Sequence, residues 1–211
     1  MTVVEDPPIA FERTGDVRSL ASSRRDRVRF AFVPRGAYLA IDGSDVPGSG
    51  PYLEAMETIF RAAYRLHVIL GARGVDEPVG MPEALYWLPA EALVGNGTTG
   101  ASEIPDWHWR LLLAVPPEAG EDEVDAACRA VEPGPMRDRL YLERWAEGPC
   151  AQILHVGAYG SEGPALRRLH DAVERAGLRV VGPLHEIYLN DPHRVGEEHA
   201  RTILRRAVEP A

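Results

Sequence analysis

The segment FVPRGAYLAIDG, residues Phe32 to Gly43, recurs in outline later in the chain as WAEGPCAQILHVG, residues Trp145 to Gly157. Each copy has a strand end, a turn with glycine or proline, and an alternating apolar strand that ends at glycine. The short strands RVRF and LYLER precede the two copies, so we predict that each pair forms a β-hairpin. Self-similarity of this kind indicates an internal duplication.

A helix is predicted after each hairpin. In the first copy, residues 51–71 have Pro51 near the first turn, and glycines mark the end. We expect its apolar stripe to consist of Leu53, Met56, Phe60, Ala63, His67 and Leu70. In the second copy, residues 161–177 end at a glycine. The expected stripe there is Leu166, Leu169, Val173 and Ala176.

A strand that carries a carboxylate follows each helix. The first strand, PEALYWLP from residue 82, places Glu83 on one face with Leu85 and Trp87. The second strand, HEIYLNDP from residue 185, places Glu186 on one face with Tyr188 and Asn190. A buried carboxylate costs several kcal/mol unless it is paired, hydrogen-bonded or part of a ligand site. Backbone N–H groups or an arginine could satisfy these acids, or they could line a cleft.

Each copy closes with one more strand, at residues 107–117 and 200–210, and the helical pattern EDEVDAACRAV joins the copies. The predicted order is β-β-α-β-β, twice. We therefore predict an α+β fold of tandem, pseudo-twofold β-α-β-β (SHS2-like) modules, with helices on one face of antiparallel sheets and a ligand cleft between the modules. In this arrangement Glu83 and Glu186 are expected to face the shared cleft.

The expected domain organisation is simple. Residues 1–27 are an N-terminal extension, and residues 28–208 are a single domain. Within that domain we place a first module at 28–117, a connection with a short helix at 118–139, and a second module at 140–208.

Composition excludes several functional classes. Acidic residues outnumber basic ones by 32 to 23, a net charge of −9, which argues against nucleic acid as the partner. No apolar run approaches the roughly 20 residues of a membrane helix, and no secretory signal is visible. The two cysteines lack metal-ligand spacing, which favours a reducing cytoplasm. We assign no metal and no cofactor, because a P-loop, a G-x-G-x-x-G motif and a G-x-S-x-G elbow are all lacking.

The motifs resemble a known family in combination. ILHVGAY (residues 153–159), the helix after it and HEIYLNDP resemble the second half of the GyrI-like small-molecule-binding family. The segment from Tyr38 to Leu70, MPEALYWLP and PDWHWRLLLAVP resemble the first half of a stand-alone branch of that family. Two departures from the branch are Ala84, where glycine is frequent, and Tyr86, where tryptophan is common.

The resemblance implies paired modules around a ligand cleft. In multidrug-sensing relatives, an acid in an aromatic cleft binds lipophilic cations. The stand-alone branch includes cyclopropanoid cyclopropyl hydrolases, which share an aromatic cage and open the ring of duocarmycin- and yatakemycin-type DNA alkylators. The E-x-L-aromatic-Trp strand at Glu83–Trp87 and the W-x-W strand at Trp107–Trp109 match that branch.

The candidate catalytic residues are Glu186, Glu83 and Tyr188. Desolvation in an apolar cage raises the pKa of a carboxyl group, which suits acid–base work near neutral pH. Aromatic walls suit planar ligands by stacking. The candidate substrate-binding residues are Trp87, Trp109, Tyr64, Tyr86, Trp107 and Tyr159. Any of these aromatic side chains could instead belong to the core, and His155 with Tyr159 could form a structural turn.

The leading hypothesis is therefore a cytoplasmic hydrolase that opens the cyclopropane ring of a planar alkylating agent by adding water, and so gives resistance. The alternatives are a non-catalytic module that sequesters or senses lipophilic aromatic drugs, and a protein-interaction role such as gyrase inhibition. We expect a planar hydrophobic small-molecule ligand, no nucleic-acid or membrane partner, and a monomer or weak dimer.

Overall fold

The structure is a computed structural model that describes residues 11–13, 27–87 and 107–211. Most of the expected N-terminal extension, and Leu88 and Pro89 at the end of the first carboxylate strand, lie outside the described residues.

The described residues form one nine-stranded sheet and three helices of more than one turn. The strands are β1 (Glu12–Arg13), β2 (Arg29–Val33), β3 (Gly36–Gly43), β4 (Pro82–Trp87), β5 (His108–Val115), β6 (Leu140–Trp145), β7 (Gly148–Val156), β8 (Leu178–Tyr188) and β9 (Arg201–Pro210). The helices are α1 (Gly50–Gly71), α2 (Glu121–Arg129) and α3 (Gly163–Arg175). Single helical turns occur at Pro192–Val195, Arg137–Arg139 and Glu197–His199. The helices and the later strands of both copies match the sequence prediction.

The strand order across the sheet is β1-β2-β7-β9-β8-β4-β5-β3-β6. β1 and β2 are parallel, and every other neighbouring pair is antiparallel. Moving outward from the central β8–β4 pair, one side runs β9, β7, β2 and the other runs β5, β3, β6. The mixed fold with an antiparallel sheet is therefore as predicted.

The two predicted hairpins are wrong. β2 pairs with β7, although β3 follows it in the chain, and β6 pairs with β3, although β7 follows it. The connections, Pro34–Arg35 and Ala146–Glu147, have two residues each. Two-residue hairpins need positive φ at a central residue, which proline excludes and which alanine and glutamate disfavour. Each outer strand therefore pairs with the other half of the chain.

The helices cover one face of the sheet with a single large core. In α3 the predicted residues Leu166, Leu169 and Val173 are buried. In α1 the predicted stripe is confirmed only at Ala63 and Leu70. The buried side chains are Tyr52, Ala55, Ile59, Ala62, Ala63, Leu66 and Leu70, while Leu53 is exposed. Alanine forms much of the buried face of α1, and small side chains let a helix lie close to a sheet. The large apolar residues chosen for the stripe therefore did not predict which face of α1 is buried.

The opposite face of the sheet carries two smaller apolar clusters. One contains Leu154, Ile187 and Ile203, and the other contains Ala40, Leu85 and Leu112. Within the described ranges, no helix combines the length and the apolar composition needed to cross a membrane.

Candidate functional site

The register of β4 and β8 places the two candidate carboxylates on opposite faces of the sheet. Ala84 lies opposite Glu186, and Glu83 lies opposite Ile187. Because side chains alternate along a strand, Glu186 faces the helices and Glu83 faces away from them. The expectation that both acids line one cleft is wrong.

The error is a shift of one residue between the two copies. The prediction aligned the strands on their glutamates, whereas the structure brings together Tyr86 and Tyr188, whose hydroxyl oxygens are 2.8 Å apart. These tyrosines follow Leu85 and Ile187, so the shared pattern is an aliphatic residue before tyrosine. A shift of one residue moves a side chain to the other face of a sheet.

Three tyrosines form a hydrogen-bonded series on the helix face, which we call the tyrosine chain. The hydroxyl of Tyr52, on α1, lies 2.8 Å from the hydroxyl of Tyr86, which in turn meets that of Tyr188. The Tyr188 hydroxyl donates to Glu186 Oε2 over 3.0 Å. The chain therefore links the first helix, the two central strands and one carboxyl group.

Aromatic rings border each member of the tyrosine chain at an edge-to-face angle. Trp109 meets Tyr52 with ring centroids 5.0 Å apart and planes at 76°. Trp107 meets Tyr86 at 5.7 Å and 76°. Tyr159 meets Tyr188 at 5.5 Å and 73°. This is the geometry that aromatic pairs prefer, and it fixes the orientation of the phenol rings.

Trp109 is held in place from two sides. Its indole Nε1 donates to the carbonyl oxygen of Asp45 over 2.8 Å. The ring also packs on Gly43, where an added Cβ would lie 2.0 Å from a ring carbon. A glycine is therefore required at residue 43 for the indole to occupy this place.

The environment of Glu186 favours its protonated form. Burial is the largest cause, and the nearby Glu162 carboxylate adds to it, so the pKa rises from 4.5 to about 8. The hydrogen bond from Tyr188 and the charge of His185 act in the opposite direction. The side chain remains partly accessible to solvent. Burial also raises the pKa of Tyr86 and Tyr188, so both phenols stay protonated donors at neutral pH.

Glu83 belongs to a buried ionic network on the other face. His185 Nε2 lies 2.9 Å from Glu83 Oε2, and His185 Nδ1 lies 3.0 Å from Glu147 Oε2. Arg205 donates to Glu147 over 3.2 Å and to Gln152 over 2.9 Å. The network therefore joins two carboxylates to two cationic side chains, which is the condition for burying charges at low cost.

The protonation states in this network follow from its geometry. Burial alone would lower the pKa of His185, but the carboxylates of Glu147 and Glu83 outweigh it and raise the pKa to about 9. Burial would likewise raise the pKa of Glu147, but His185 and Arg205 hold it below its usual value. His185 is therefore an imidazolium that donates to both acids at neutral pH.

The sequence reasoning missed Glu147 and Arg205. Glu147 lies in a short connection between strands, where no periodicity indicates burial. Arg205 follows a run of apolar residues in β9, and a charged residue inside such a run is a usable signal of a buried partner.

Two predicted binding residues lie away from the tyrosine chain. The side chain of Trp87 is on the face opposite the helices, is 41% exposed and has the Arg110 guanidinium 5.8 Å from its ring centroid. Tyr64 lies on α1 and is 60% exposed, so it points away from the core. Tyr159, at 49% exposure, lies beside Tyr188 at the edge of the site.

The turn between β7 and α3 supports that edge. His155 Nε2 lies 3.1 Å from the hydroxyl oxygen of Ser161, which also donates to the carbonyl of Ala158. The interpretation of His155 as a hydrogen-bonded residue of a structural turn is confirmed. Within residues 11–13, 27–87 and 107–211, no group of three or more His, Cys, Asp or Glu side chains is arranged to hold a metal ion.

Comparison with known proteins identifies the architecture. Residues 116–205 match the model of the GyrI-like small molecule binding domain. This stretch of the chain is therefore similar to a GyrI-like domain. The matched residues contain α2, α3, β6, β7, β8 and the first half of β9, and therefore Glu186 and Tyr188 of the site. No curated protein matches the chain.

Solved structures of the GyrI-like type extend the likeness to the first half of the chain. An uncharacterized conserved protein from Listeria innocua is 25% identical, with a TM-score of 0.78 over 94% of this chain and 100% of that one. A hydrolase from Listeria innocua is 24% identical, with a TM-score of 0.74 over the same shares. The C-terminal domain of EcmrR is 13% identical, with a TM-score of 0.57 over 88% of this chain and 98% of that one. These likenesses establish a shared fold.

Proposed function

We propose that the protein is a cofactor-independent hydrolase that opens the cyclopropane ring of duocarmycin- and yatakemycin-type alkylating agents by adding water. The observation that carries this proposal is Glu186, a carboxyl group that titrates near neutral pH and accepts a hydrogen bond from Tyr188 of the tyrosine chain. A structural neighbour from Listeria innocua described as a hydrolase supports the reaction class. The sequence motifs of the stand-alone branch support the substrate class.

The proposed step needs only water. Glu186, as carboxylate, takes a proton from water, and the water oxygen attacks the CH₂ carbon of the strained ring. The ring C–C bond breaks, and its electron pair passes into the dienone, whose oxygen becomes a phenolate. That oxygen then receives the proton, so the product is the substrate plus one water. Relief of ring strain and formation of an aromatic phenol drive the reaction.

Tyr188 is the proposed donor to the developing phenolate. Its hydroxyl is held between Tyr86 and Glu186, and a pre-oriented donor stabilises charge that develops in the transition state. Glu83 takes no part in this step, because it lies across the sheet in the ionic network. We therefore reassign it from catalysis to support of the strand that carries Glu186.

The aromatic residues divide into two proposed roles. Tyr159 is half exposed beside Tyr188, so it and the edge of Trp107 are placed to stack on the fused rings of a ligand. Trp109 is fully buried against Tyr52 and acts by positioning that phenol.

We also infer that residues 28–117 and 140–208 are two modules related by a pseudo-twofold axis between β4 and β8. The strand order outward from that pair and the meeting of Tyr86 with Tyr188 across it support this relation.

The test is incubation of the purified protein with a spirocyclopropyl-dienone alkylator and measurement of the product mass. We expect a gain of one water with the wild type. Glu186→Gln should lower kcat by about 10²–10⁴-fold, because it removes the base and keeps the shape. Glu118→Gln, in an exposed turn before α2, is the matched control and should keep full turnover. Full turnover by Glu186→Gln would contradict the assigned role.

A second candidate function is binding without catalysis. A carboxylate bordered by aromatic rings also suits a lipophilic cation, which stacks on the rings and pairs with the acid. Tight binding of the alkylator or of an aromatic cation by the wild type, with no change in the ligand mass, would establish this alternative and exclude the hydrolase.

A further inference from the structure

Arg206 is a buried arginine that the chain does not pair with an acid. It lies on β9, on the helix face, and its side chain is 5% exposed. Its Nη2 donates to the carbonyl oxygen of Gly182 over 3.0 Å. Its Nε and Nη1 are buried and have no hydrogen-bond partner. Burial lowers the pKa of the guanidinium, and no nearby carboxylate raises it.

Arg205, the neighbouring residue on β9, is a buried arginine that has an acidic partner. Arg205 is 4% exposed, yet it bonds to Glu147 and Gln152 on the other face. An unpaired buried cation costs several kcal/mol, and a folded chain normally satisfies each buried donor. Among the described residues, only the carbonyl oxygen of Gly182 accepts a hydrogen bond from Arg206.

His170, on α3, is the second donor at this place. Its Nε2 is buried and has no partner. Burial lowers the pKa of His170, and the charge of Arg206 lowers it further. The helix that carries His170 packs on β9, the strand that carries Arg206. The acids that act on His170, Glu174 and Asp171, both lie on the exposed side of its own helix.

We propose that Arg206 and His170 form a binding site for a small inorganic oxyanion, such as phosphate or sulfate, between α3 and β9. A guanidinium binds oxyanions through charge-assisted hydrogen bonds, and an imidazole N–H adds a third donor. An inorganic oxyanion offers several acceptor atoms, which match the unpaired Nε and Nη1 of Arg206 and the Nε2 of His170. The bound anion neutralises the charge of Arg206 and links α3 to the sheet through hydrogen bonds.

This site is separate from the proposed catalytic chemistry. Arg206 lies two residues along β9 from Leu204, the residue that pairs with Glu186, but Arg206 is not among the groups that shift the pKa of Glu186. Anion binding should therefore change the stability of the protein whether or not the protein is a hydrolase.

The experiment is thermal unfolding of the full chain in phosphate and in sulfate, against chloride at equal ionic strength. We expect a saturable rise in Tm of about 2–4 °C when the oxyanion reaches about five times its Kd. Acetate at the same concentration tests a carboxylate as the occupant, and a larger response to acetate would overturn the inorganic assignment.

Arg206→Met is the matched variant, because methionine keeps an unbranched apolar stem and removes the charge. It should lose the saturable response and retain only the general salt effect, which acts on any folded protein. An equal response in the wild type and in Arg206→Met would overturn the proposal, and so would a wild type that does not respond.

Two measurements keep the test decisive if Arg206→Met does not fold. Titration of the wild type with phosphate, followed by the ³¹P linewidth, should show saturable binding. His170→Leu should weaken that binding about tenfold, because it removes one of the donors. Absence of binding to the wild type would show that the site holds water only.

Discussion

Glu83 and Glu186 lie on adjacent strands, on opposite faces of one sheet, and the side chains around them differ in charge. Glu83 contacts the imidazolium of His185 in a network whose charges balance. Glu186 contacts a phenol hydroxyl and lies in the field of a second carboxylate, Glu162. Both acids are enclosed by protein, so enclosure alone does not set their chemistry. The charge of the neighbouring side chains distinguishes the two carboxyl groups.

The consequence is a division of labour between the faces. The ionic network keeps its charges through the neutral range, with the pKa of Glu147 lowered and that of His185 raised to about 9. The tyrosine face leaves Glu186 with a pKa of about 8, where a small change of environment alters its protonation. The first arrangement holds the sheet together, and the second is suited to proton transfer.

The largest expected difference is in stability. Glu147→Gln should lower the free energy of unfolding by about 3–5 kcal/mol at pH 7, because it leaves His185 and Arg205 with too little negative charge. Glu186→Gln should instead raise it by about 2 kcal/mol at pH 7, because a neutral amide avoids the cost of ionising a carboxyl group whose pKa in the folded chain is about 8. Urea denaturation measures both. Equal losses would show that the two faces do not differ as described.

The pH dependence of the free energy of unfolding should also distinguish the two faces of the sheet. The pKa of Glu186 is about 8 in the folded chain and 4.5 ordinarily, so its contribution is complete below pH 4.5 and is lost as pH rises to 8. Allowing for its partial solvent access, the loss should be about 2–3 kcal/mol. His185 adds a loss between its ordinary 6.5 and about 9.

Glu186→Gln is the variant that tests this assignment. It should flatten the wild-type decline between pH 4.5 and 6.5 and keep the decline that His185 causes above 6.5. Urea denaturation across that range measures both parts. A variant that follows the wild-type curve throughout would mean that Glu186 does not titrate near neutral pH.

The smallest expected effect concerns the tyrosine chain. Tyr86→Phe removes the hydroxyl between Tyr52 and Tyr188 and should lower the free energy of unfolding by about 1–2 kcal/mol. Tyr64→Phe, on the exposed side of α1, should change it by less than about 0.5 kcal/mol. A loss in Tyr64→Phe as large as that in Tyr86→Phe would contradict the placement of the chain.

Local pattern was enough to predict most elements of the fold. The period and the end signals of α1, α2 and α3 are visible in the sequence, and so are the strands that follow them. Strand pairing was not predictable in the same way, because β2 and β6 join distant partners. Pro34 argued against the predicted hairpin of β2 and β3, since proline does not fit a two-residue hairpin.

The candidate site was predictable in part for a similar reason. Tyr86, Trp107 and Tyr188 were all candidates and do lie together, since Tyr86 contacts both of the others. Glu83 was misplaced by one residue of register, and Glu147 has no local pattern at all. Arg206 and His170 face each other only because α3 packs on β9, a contact that no local spacing encodes.

The exchange of the outer strands has a consequence for any attempt to dissect the chain. The segment that matches the family model begins at residue 116, so it contains β6 but not β3, the strand with which β6 pairs. It also contains β7 without β2. Cut out alone, it would present one unpaired strand, β6, and two bare edges, at β7 and at β8, all of which favour aggregation. Each half of the chain supplies an outer strand to the sheet of the other half, so the smallest fragment that folds contains both halves.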